Sequence, residues 1–204
     1  MKRGKFIVID GGEGAGKTTV LKVAKEIFGG KILITHEPGG SPLAEEVRNL
    51  ILSEKGKEAS AETHFALNWA YRHDHLKKII EPALKKGITV ISDRCDSSTY
   101  TYQIFAQKAP QLKNLFWDIR KIYFRDTKPD LYVFFDVDPK VSLERVAKRK
   151  GEQTHFDNQK LDFHKRVRLG FREFLKKVPH KVIDANKTLE EVKKDFISII
   201  KELI

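Results

Sequence analysis

The stretch GGEGAGKTT, residues 11–19, follows the apolar run FIVI (6–9) and leads into a helical pattern. Residues 11–18 match the pattern G-x-x-x-x-G-K-[ST], and a preceding strand and a following helix are the context that this pattern requires. Glycines allow the backbone to turn successive N–H groups towards a phosphate, and the positive end of the following helix faces the same anion. The stretch therefore predicts a site for the phosphates of a nucleoside triphosphate.

Two side chains of this loop are expected to act directly on the phosphates. Lys17 is expected to reach the β- and γ-phosphates, and the hydroxyl of Thr18 is expected to ligate Mg²⁺. The predicted donor-binding residues of the loop are Gly11, Gly12, Glu13, Gly14, Ala15, Gly16, Lys17, Thr18 and Thr19.

Short β-branched apolar runs alternate with helical patterns along the chain. The runs are continuously apolar, which is typical of strands covered on both faces in a parallel sheet. The predicted strands are 5–10, 31–35, 88–93, 130–137 and 180–185, and the predicted helices lie near 17–28, 42–53, 62–86, 97–126 and 139–149. This alternation predicts an α/β protein, with three α/β/α layers around a five-stranded parallel sheet.

The last helix is predicted from its cap and its apolar stripe. Thr188 and Glu191 have the spacing of a capping box, which places the start of the helix. The stripe is expected to pack in the core, and it consists of Leu189, Val192, Phe196, Ile199 and Leu203. The polar stretch 148–160 is interpreted as a mobile, charged excursion, so residues 1–204 are predicted to form one domain with a short lid near 145–160.

Composition excludes several classes of protein. The chain has 204 residues, 40% of them hydrophobic, and a formal net charge of +11, which favours anionic partners. Its single Cys95 cannot form an internal disulfide, and no apolar run approaches membrane-spanning length. The sequence contains neither a basic stripe with interleaved aromatic residues nor a recognised nucleic-acid motif. We therefore expect a cytoplasmic protein that binds small phosphates and neither membrane nor nucleic acid.

A second functional carboxylate is expected at a strand end near the metal. Asp93 and Asp136 both follow apolar strands, but only Asp93 is followed by an arginine, Arg94. A carboxylate and a guanidinium at the mouth of a parallel sheet can orient metal-bound water and hold a second phosphate, respectively. Asp93 is therefore predicted as a metal residue and Arg94 as a phosphate ligand.

Several motifs, taken in order, resemble the thymidylate kinase family. FIVIDGGEGAGKTT resembles its phosphate loop, including the acidic Glu13, and THEPGG (35–40) is similar to its T-R-E-P-G-G segment. AEEVRNL (44–50), AYRHDHL (70–76) and SDRCDSSTYTYQ (92–103) resemble the segments that follow. The resemblance continues through KPDLYVFFDVDP (128–139) and LDFHKRVR (161–168).

The resemblance implies transfer of the γ-phosphoryl group of ATP to dTMP with Mg²⁺ as the metal, by a homodimer formed through helices on one face. It implies that Glu13 helps to place the metal or the acceptor and that Arg48 and Arg94 bind the acceptor phosphate. Arg72 would reach the thymine edge, and Tyr102 would pack under the deoxyribose and disfavour a 2′-hydroxyl. The implied acceptor-binding residues are Glu37, Pro38, Arg48, Arg72, Arg94, Thr99, Tyr102 and Gln103.

The sequence departs from the family pattern in the lid. Positions 14 and 15 carry no arginine, so the cation that stabilises the transition state is expected from RVAKRKG (145–151). Arg149 is the predicted catalytic residue, and Arg145 is assigned to donor binding with catalysis as its alternative role. Such an arginine is worth about 10³–10⁵ in rate. The family's D-R-[IF]-E is replaced by THFD (154–157), which removes a lid arginine.

A second departure concerns the base. Asn68 stands four residues before Arg72, where many members of the family have a phenylalanine that stacks on thymine. Base stacking is worth about 1–3 kcal/mol, which is enough to alter base selectivity. Three alternatives stay open. Asn68 and Thr99 favour a kinase of another pyrimidine nucleotide or deoxynucleoside on the same fold, the net charge favours a P-loop nucleic-acid-binding protein, and the altered lid favours a relative that binds nucleotide without turnover.

Overall fold

The computed structural model describes residues 3–148, residue 156 and residues 159–204. Within them a five-stranded parallel sheet has the order β2-β3-β1-β4-β5. The strands are β1 (Phe6–Gly11), β2 (Ile32–His36), β3 (Thr89–Asp93), β4 (Leu131–Asp136) and β5 (His180–Asp184). This sheet confirms the predicted fold class, and each strand lies within a residue or two of its predicted bounds.

Helices connect the strands and cover both faces of the sheet. They are α1 (Lys17–Phe28), α2 (Pro42–Leu52), α3 (Glu54–Lys57), α4 (Ala61–His75), α5 (Glu81–Lys85), α6 (Asp96–Thr99), α7 (Leu112–Phe124), α8 (Pro139–Lys148), α9 (Leu161–Leu175) and α10 (Leu189–Lys201). Two π-helical segments, Leu76–Ile80 and Tyr100–Ala106, continue α4 and α6, respectively. None of the helices within residues 3–148 and 159–204 combines the length and apolarity that crossing a bilayer requires.

The alternation of side chains along β1 separates two hydrophobic cores. Phe6 and Val8 join a core that includes Trp69, Phe116 and Phe174, from α4, α7 and α9. The other face of the sheet forms a second core with α1 and α10, to which Ile7, Ile9, Val20, Val192 and Phe196 belong. Because every residue of β1 is buried, its continuous apolarity is explained by helices on both sides.

One helical prediction was wrong, and one helix was not predicted. The single helix expected over 97–126 is divided, since the Tyr100–Ala106 segment ends before α7 begins at Leu112. Pro110 lies in the break, where it lacks an N–H group and disfavours helical geometry at the residue before it. The helix α9 was not predicted, although Phe163, Val167 and Phe174 lie on its buried side.

The last helix matches its prediction in its cap and in most of its stripe. Thr188 and Glu191 form the predicted capping box. Val192 and Phe196 are buried as expected, whereas Leu189 is exposed. Ile199 and Leu203 are partly buried and pack against the same core, and the fully buried residue of the last turns is Ile200, which the prediction did not include.

The sheet brings the predicted functional segments to one edge. Asp93, at the end of β3, is paired with His36 of β2 on one side and with Ile9 of β1 on the other. The carboxyl ends of β1, β2 and β3 therefore meet at the point where the phosphate loop leaves the sheet, which is where open α/β sheets bind their ligands.

Candidate active site

The loop between β1 and α1 has the backbone of an anion cradle. Gly11, Gly14 and Gly16 have φ of 148°, 66° and 87°. A Cβ atom on Gly11 would lie 2.5 Å from the carbonyl oxygen of Phe135, so the sheet leaves room only for glycine there. The helix α1 begins directly after the loop, at Lys17, so its N-terminus adjoins the loop, as in an anion-binding helix N-terminus.

Lys17 is folded onto the loop that precedes it. Its Nζ donates to the carbonyl oxygens of Gly11 and Gly12, at 3.1 and 2.9 Å. Burial, together with the nearby Arg94 guanidinium, lowers the pKa of Lys17 from its ordinary value. The ammonium group is thus held at the floor of the cradle, in the place expected for a group that binds donor phosphates.

Arg94 connects the end of β3 to the phosphate loop. Its Nη1 donates to Asp10 Oδ1 at 2.9 Å and to Ser98 Oγ at 3.2 Å, and its Nη2 donates to Glu13. Its φ is 68°, an uncommon value for a residue with a side chain, and its backbone N–H bonds to the carbonyl oxygen of Ile9 at 2.8 Å. The arginine is therefore held beside the cradle by both its backbone and its side chain.

Asp10 was missed by the sequence analysis. It is 3% exposed and accepts hydrogen bonds from Ser97 Oγ, Ser98 Oγ and the backbone N–H of Gly11. Burial raises its pKa above the ordinary value, although Arg94 and Lys17 act in the opposite direction. The signal for Asp10 was a carboxylate directly before the glycine loop, at a strand end like that of Asp93.

Thr18 and Asp93 lie where a divalent cation is expected. Thr18 is exposed at the start of α1, and Asp93 ends β3. Oδ1 of Asp93 is buried and has no hydrogen-bond partner among the described residues. A carboxylate oxygen and a hydroxyl group are ligands that Mg²⁺ prefers, so the donor set fits this metal.

A cavity of about 410 Å³ opens beside the loop, and Glu13 belongs to both. Seven of the eight predicted acceptor-binding residues line it, namely Glu37, Pro38, Arg48, Arg94, Thr99, Tyr102 and Gln103. Sequence analysis did not select eight further lining residues, His36, Ile51, Leu52, His64, Tyr71, Cys95, Ser98 and Phe156. Arg48 is oriented by a hydrogen bond from Nη1 to the carbonyl oxygen of Pro38, at 2.8 Å.

The eighth predicted residue, Arg72, lies behind the cavity wall and is fully buried. Its Nε donates to Glu37 at 2.7 Å and its Nη2 to Thr99 Oγ1 at 3.0 Å, while its guanidinium lies 4.8 Å from the centre of the Trp69 ring. Nη1 is buried and has no hydrogen-bond partner within the described residues. Arg72 therefore fixes two residues of the wall and retains a donor.

Glu37 is the centre of this buried cluster. Its Oε1 lies 3.2 Å from His75 Nδ1 and its Oε2 accepts from Arg72, and both side chains are fully buried. Burial alone would raise the pKa of Glu37, but Arg72 and His75 hold it below its ordinary value. His75 is held in turn by Thr35 Oγ1, 2.7 Å from its Nε2. The carboxylate consequently stays ionised at the bottom of the cavity.

Only part of the predicted lid is described. Arg149, the predicted catalytic arginine, lies outside the described residues, as do Thr154, His155 and Asp157. Arg145 is described, and its Nη1 donates to the carbonyl oxygens of Ala185 and Gly14, at 2.7 and 3.3 Å. It thus joins α8 to the phosphate loop and to the end of β5, next to the predicted donor site.

These features define a class of protein before any relative is considered. A phosphate cradle and a cavity lined by arginines, adjoining at the carboxyl edge of a parallel sheet, are the arrangement of a P-loop kinase with a small phosphorylated acceptor.

Comparison with known proteins identifies the family. The sequence model of the family described as Thymidylate kinase matches residues 9–196. The chain is 38% identical to a thymidylate kinase of Shouchella clausii, covering 100% of this chain and 98% of that protein. It is 39% identical to one of Mycoplasma capricolum, covering 97% and 94%. A crystal structure of thymidylate kinase from Ehrlichia chaffeensis superposes with a TM-score of 0.75 at 29% identity, covering 98% and 99%. The chain belongs to the thymidylate kinase family.

Proposed function

We infer that this protein transfers the γ-phosphoryl group of ATP to dTMP, giving dTDP and ADP. The observation that carries the inference is the junction of two sites. Glu13 belongs to the phosphate loop and also lines the acceptor cavity, and Arg94 binds Glu13 while lining the same cavity. Two anions bound in the two sites would meet at Arg94.

Phosphoryl transfer requires mainly alignment and neutralisation of charge. We propose that the N–H groups of the glycine loop and Lys17 bind the donor phosphates. Arg48 and Arg94 would hold the acceptor phosphate, since both line the cavity on its charged side. Arginine suits this role because its planar donors match two phosphate oxygens at once.

The rest of the cavity would bind the nucleoside. Tyr102 would contact the deoxyribose, and Gln103 and Thr99 would lie near the base. Arg72 supports this arrangement through its hydrogen bonds to Glu37 and Thr99. These two bonds fix the guanidinium and therefore also the position of its buried Nη1. The acceptor is thus expected to lie with its phosphate at Arg94 and its base towards α4.

We propose that Mg²⁺ accompanies ATP, held through Thr18 and Asp93. When bound, it would neutralise phosphate charge and stabilise the leaving oxygen. Asp10 would act through Arg94, whose position it fixes. Arg149 would supply the further cation at the transferred phosphoryl group, as part of a lid near 145–160 in one kinase domain spanning 1–204. A cytoplasmic location agrees with the single cysteine, which is buried beside Glu37.

We also propose a homodimer, formed through α2, α4 and α7. Leu43 and Leu50 on α2 are each 47% exposed, and Ile122 on α7 is 58% exposed. The helix α4 joins them into one surface, because it bonds to α2 through Asp74 and Ser41 and packs on α7 through Trp69 and Phe116. Sedimentation of wild type and of Ile122→Glu tests this proposal, since a charge in the interface should shift the protein towards monomer.

A coupled ADP-release assay tests the reaction. Wild type should turn over dTMP faster than dUMP, dCMP or thymidine, in a Mg²⁺-dependent manner. Lys17→Ala and Arg149→Ala should each lower the rate by two orders of magnitude or more, roughly the value of one transition-state contact. Lys22→Ala, an exposed lysine on α1, is the matched control and should behave as wild type. Negligible dTMP turnover beside a good competing acceptor would contradict the assignment.

A further inference from the structure

Four side chains form a continuous hydrogen-bonded chain from the cavity wall to α3. Nδ2 of Asn68 lies 3.2 Å from Oε1 of Gln103, and Nε2 of Gln103 lies 3.1 Å from Oε1 of Gln107. Nε2 of Gln107 lies 3.2 Å from Nδ1 of His64, whose Nε2 lies 2.8 Å from the carbonyl oxygen of Gly56. We name these four side chains, Asn68, Gln103, Gln107 and His64, the amide relay.

One backbone carbonyl sets the direction of the whole relay. A carbonyl oxygen only accepts, so Nε2 of His64 carries the hydrogen, and we assign Nδ1 as the acceptor of the same ring. Gln107 must therefore donate to His64 with its Nε2, which leaves its Oε1 to accept from Gln103. By the same reasoning, Gln103 presents its Oε1 to Asn68, and Asn68 must donate.

The anchor of the relay is rigid. A Cβ atom at Gly56 would lie 2.2 Å from the carbonyl oxygen of Leu50 and 2.4 Å from that of Ile51, so the turn of α3 is packed tightly against α2. His64 is 1% exposed and Gln103 is 3% exposed. Reversing any one amide would place two acceptors or two donors together in a buried site, which is costly.

The free end of the relay lies in the acceptor cavity. Asn68, Gln103 and His64 line that cavity, whereas Gln107 does not. A side-chain amide has a carbonyl oxygen that accepts and an NH₂ group that donates, and a flip of the amide exchanges their positions. The orientation of the amide therefore decides which hydrogen-bonding edge of a pyrimidine it can pair with. Thymine and uracil present an N3–H donor between two carbonyl oxygens, whereas cytosine presents an N3 acceptor beside an amino group. A fixed amide pairs with only one of these patterns.

We propose that Gln107 and His64 are positioning residues that set base selectivity, by fixing the amides of Gln103 and Asn68 against the pyrimidine. In the direction set by Gly56, Asn68 gives one N–H to Gln103 and keeps its second N–H and its Oδ1 in a fixed order. With Oδ1 at N3–H and the N–H at a neighbouring carbonyl oxygen, this order suits a base of the thymine and uracil type, whereas cytosine requires the reverse order. This inference rests on the proposed function, since it assumes that the cavity holds a pyrimidine nucleotide.

The test compares dTMP with dCMP as acceptor in the full-length protein. Gln107→Leu breaks the relay outside the cavity, and Gln107→Met, which keeps the length of the side chain, serves if the leucine variant folds poorly. The ratio of kcat/KM for dTMP over that for dCMP should fall about tenfold, as expected for the loss of one buried orienting hydrogen bond. The change should appear in the two KM values, with the kcat for dTMP within about twofold of wild type.

Rescue distinguishes positioning from a merely structural effect. In Gln107→Glu, the carboxylate still accepts from Nε2 of Gln103, so Gln103 keeps its direction. Its selectivity should stay within about threefold of wild type. The matched control is Gln111→Leu, because Gln111 also bonds to α4, through the exposed Glu62, but lies outside the relay.

Three outcomes would overturn the inference. They are an unchanged ratio in Gln107→Leu and Gln107→Met, an equal loss with both acceptors, and a Gln107→Glu variant as unselective as Gln107→Leu. If the wild-type protein does not phosphorylate dTMP, the proposed function is wrong. The role of the relay in base selection, which rests on that function, is then also wrong.

Discussion

Nη1 of Arg94 lies 2.9 Å from Oδ1 of Asp10, and this ion pair joins the carboxyl ends of the two neighbouring strands β3 and β1. Ser97 and Ser98 bind the other oxygen of the same carboxylate at 2.7 and 2.8 Å. The side chain of Arg94 is 15% exposed. Asp10 therefore acts as the support of an arginine that faces both phosphate sites.

Arg94→Lys should be a poor replacement even though it keeps the charge. The three N–H donors of a lysine diverge from a single nitrogen, so they cannot reach Asp10, Glu13 and a phosphate in the separate directions that the nitrogens of the guanidinium reach. We expect kcat/KM for dTMP to fall by about 10²–10³, the value of one oriented transition-state donor. Arg125→Lys is the control, because Arg125 is exposed and also has a positive φ, 44°. Similar losses in both variants would show that the loss is not specific to the guanidinium of Arg94.

Lys17→Met should separate activity from stability. In the folded protein the pKa of Lys17 lies below its ordinary value, so folding is more favourable when this side chain is neutral, at high pH. As the pH falls, the side chain becomes charged and the free energy of unfolding decreases. An uncharged side chain of similar length removes this cost, but it also removes the group that binds the donor. We expect ADP release to fall by about 10²–10³, while Tm stays within about 2 °C of wild type or rises. Scanning calorimetry beside Lys22→Met checks this, and a large fall in Tm would be the contrary result.

Glu37 and Arg72 should be strongly coupled in stability. Removing one member of a buried pair leaves the other as an unpaired buried charge, which costs about 3–5 kcal/mol. We therefore expect Glu37→Leu alone to destabilise the protein by this amount and Glu37→Leu/Arg72→Met to recover at least half of the loss. Urea unfolding of the single and double variants measures the coupling.

The pair Glu190–Lys193 on α10, in which Glu190 is 81% exposed and Lys193 24% exposed, provides the control for that cycle. Lys193→Met should change the free energy of unfolding by less than about 0.5 kcal/mol. If the double variant is destabilised by the sum of the two single changes, the buried pair is not coupled and our account of the cavity floor is wrong.

The sequence predicted most of what depends on local pattern. The glycine loop, the strands and the carboxylate at the end of β3 each have a signature within ten residues, so Lys17, Asp93 and Arg94 were placed correctly at one edge of the sheet. The parallel arrangement followed from runs such as FIVI, which are apolar at every position and therefore need helices on both sides.

Contacts between distant segments had no such signature. His64 and Gln107 are 43 residues apart, and neither type of side chain indicates the other, so the amide relay could be seen only in the structure. The same is true of Asp10 and Ser98, which are 88 residues apart. The lysine- and arginine-rich surface of α9 masked its apolar positions, which explains why this helix was not predicted.

The stability of the protein should depend on pH in the acid range, because Asp136 is bonded to two arginines of α9. It ends β4 and accepts two hydrogen bonds from Arg168, at 2.6 and 3.1 Å, and one from Arg172 at 2.9 Å. Burial would raise the pKa of Asp136, but the bonds from the two arginines hold it below its ordinary value. A carboxylate with a depressed folded-state pKa gives stability that is present above its unfolded pKa, about 3.9, and is lost as the pH falls through the folded value.

Asp136→Asn should therefore destabilise the protein at pH 7 by about 1–3 kcal/mol, the cost of removing the charge from these bonds. The difference from wild type should shrink as the pH falls below about 4, since the wild-type carboxylate then takes up its proton. Chemical unfolding at several pH values measures both effects, and Asp118→Asn, at an exposed carboxylate on α7, should run parallel to wild type throughout. A difference between Asp136→Asn and wild type that stays constant from pH 7 to pH 3 would mean that the carboxylate stabilises α9 by its shape and not by its charge.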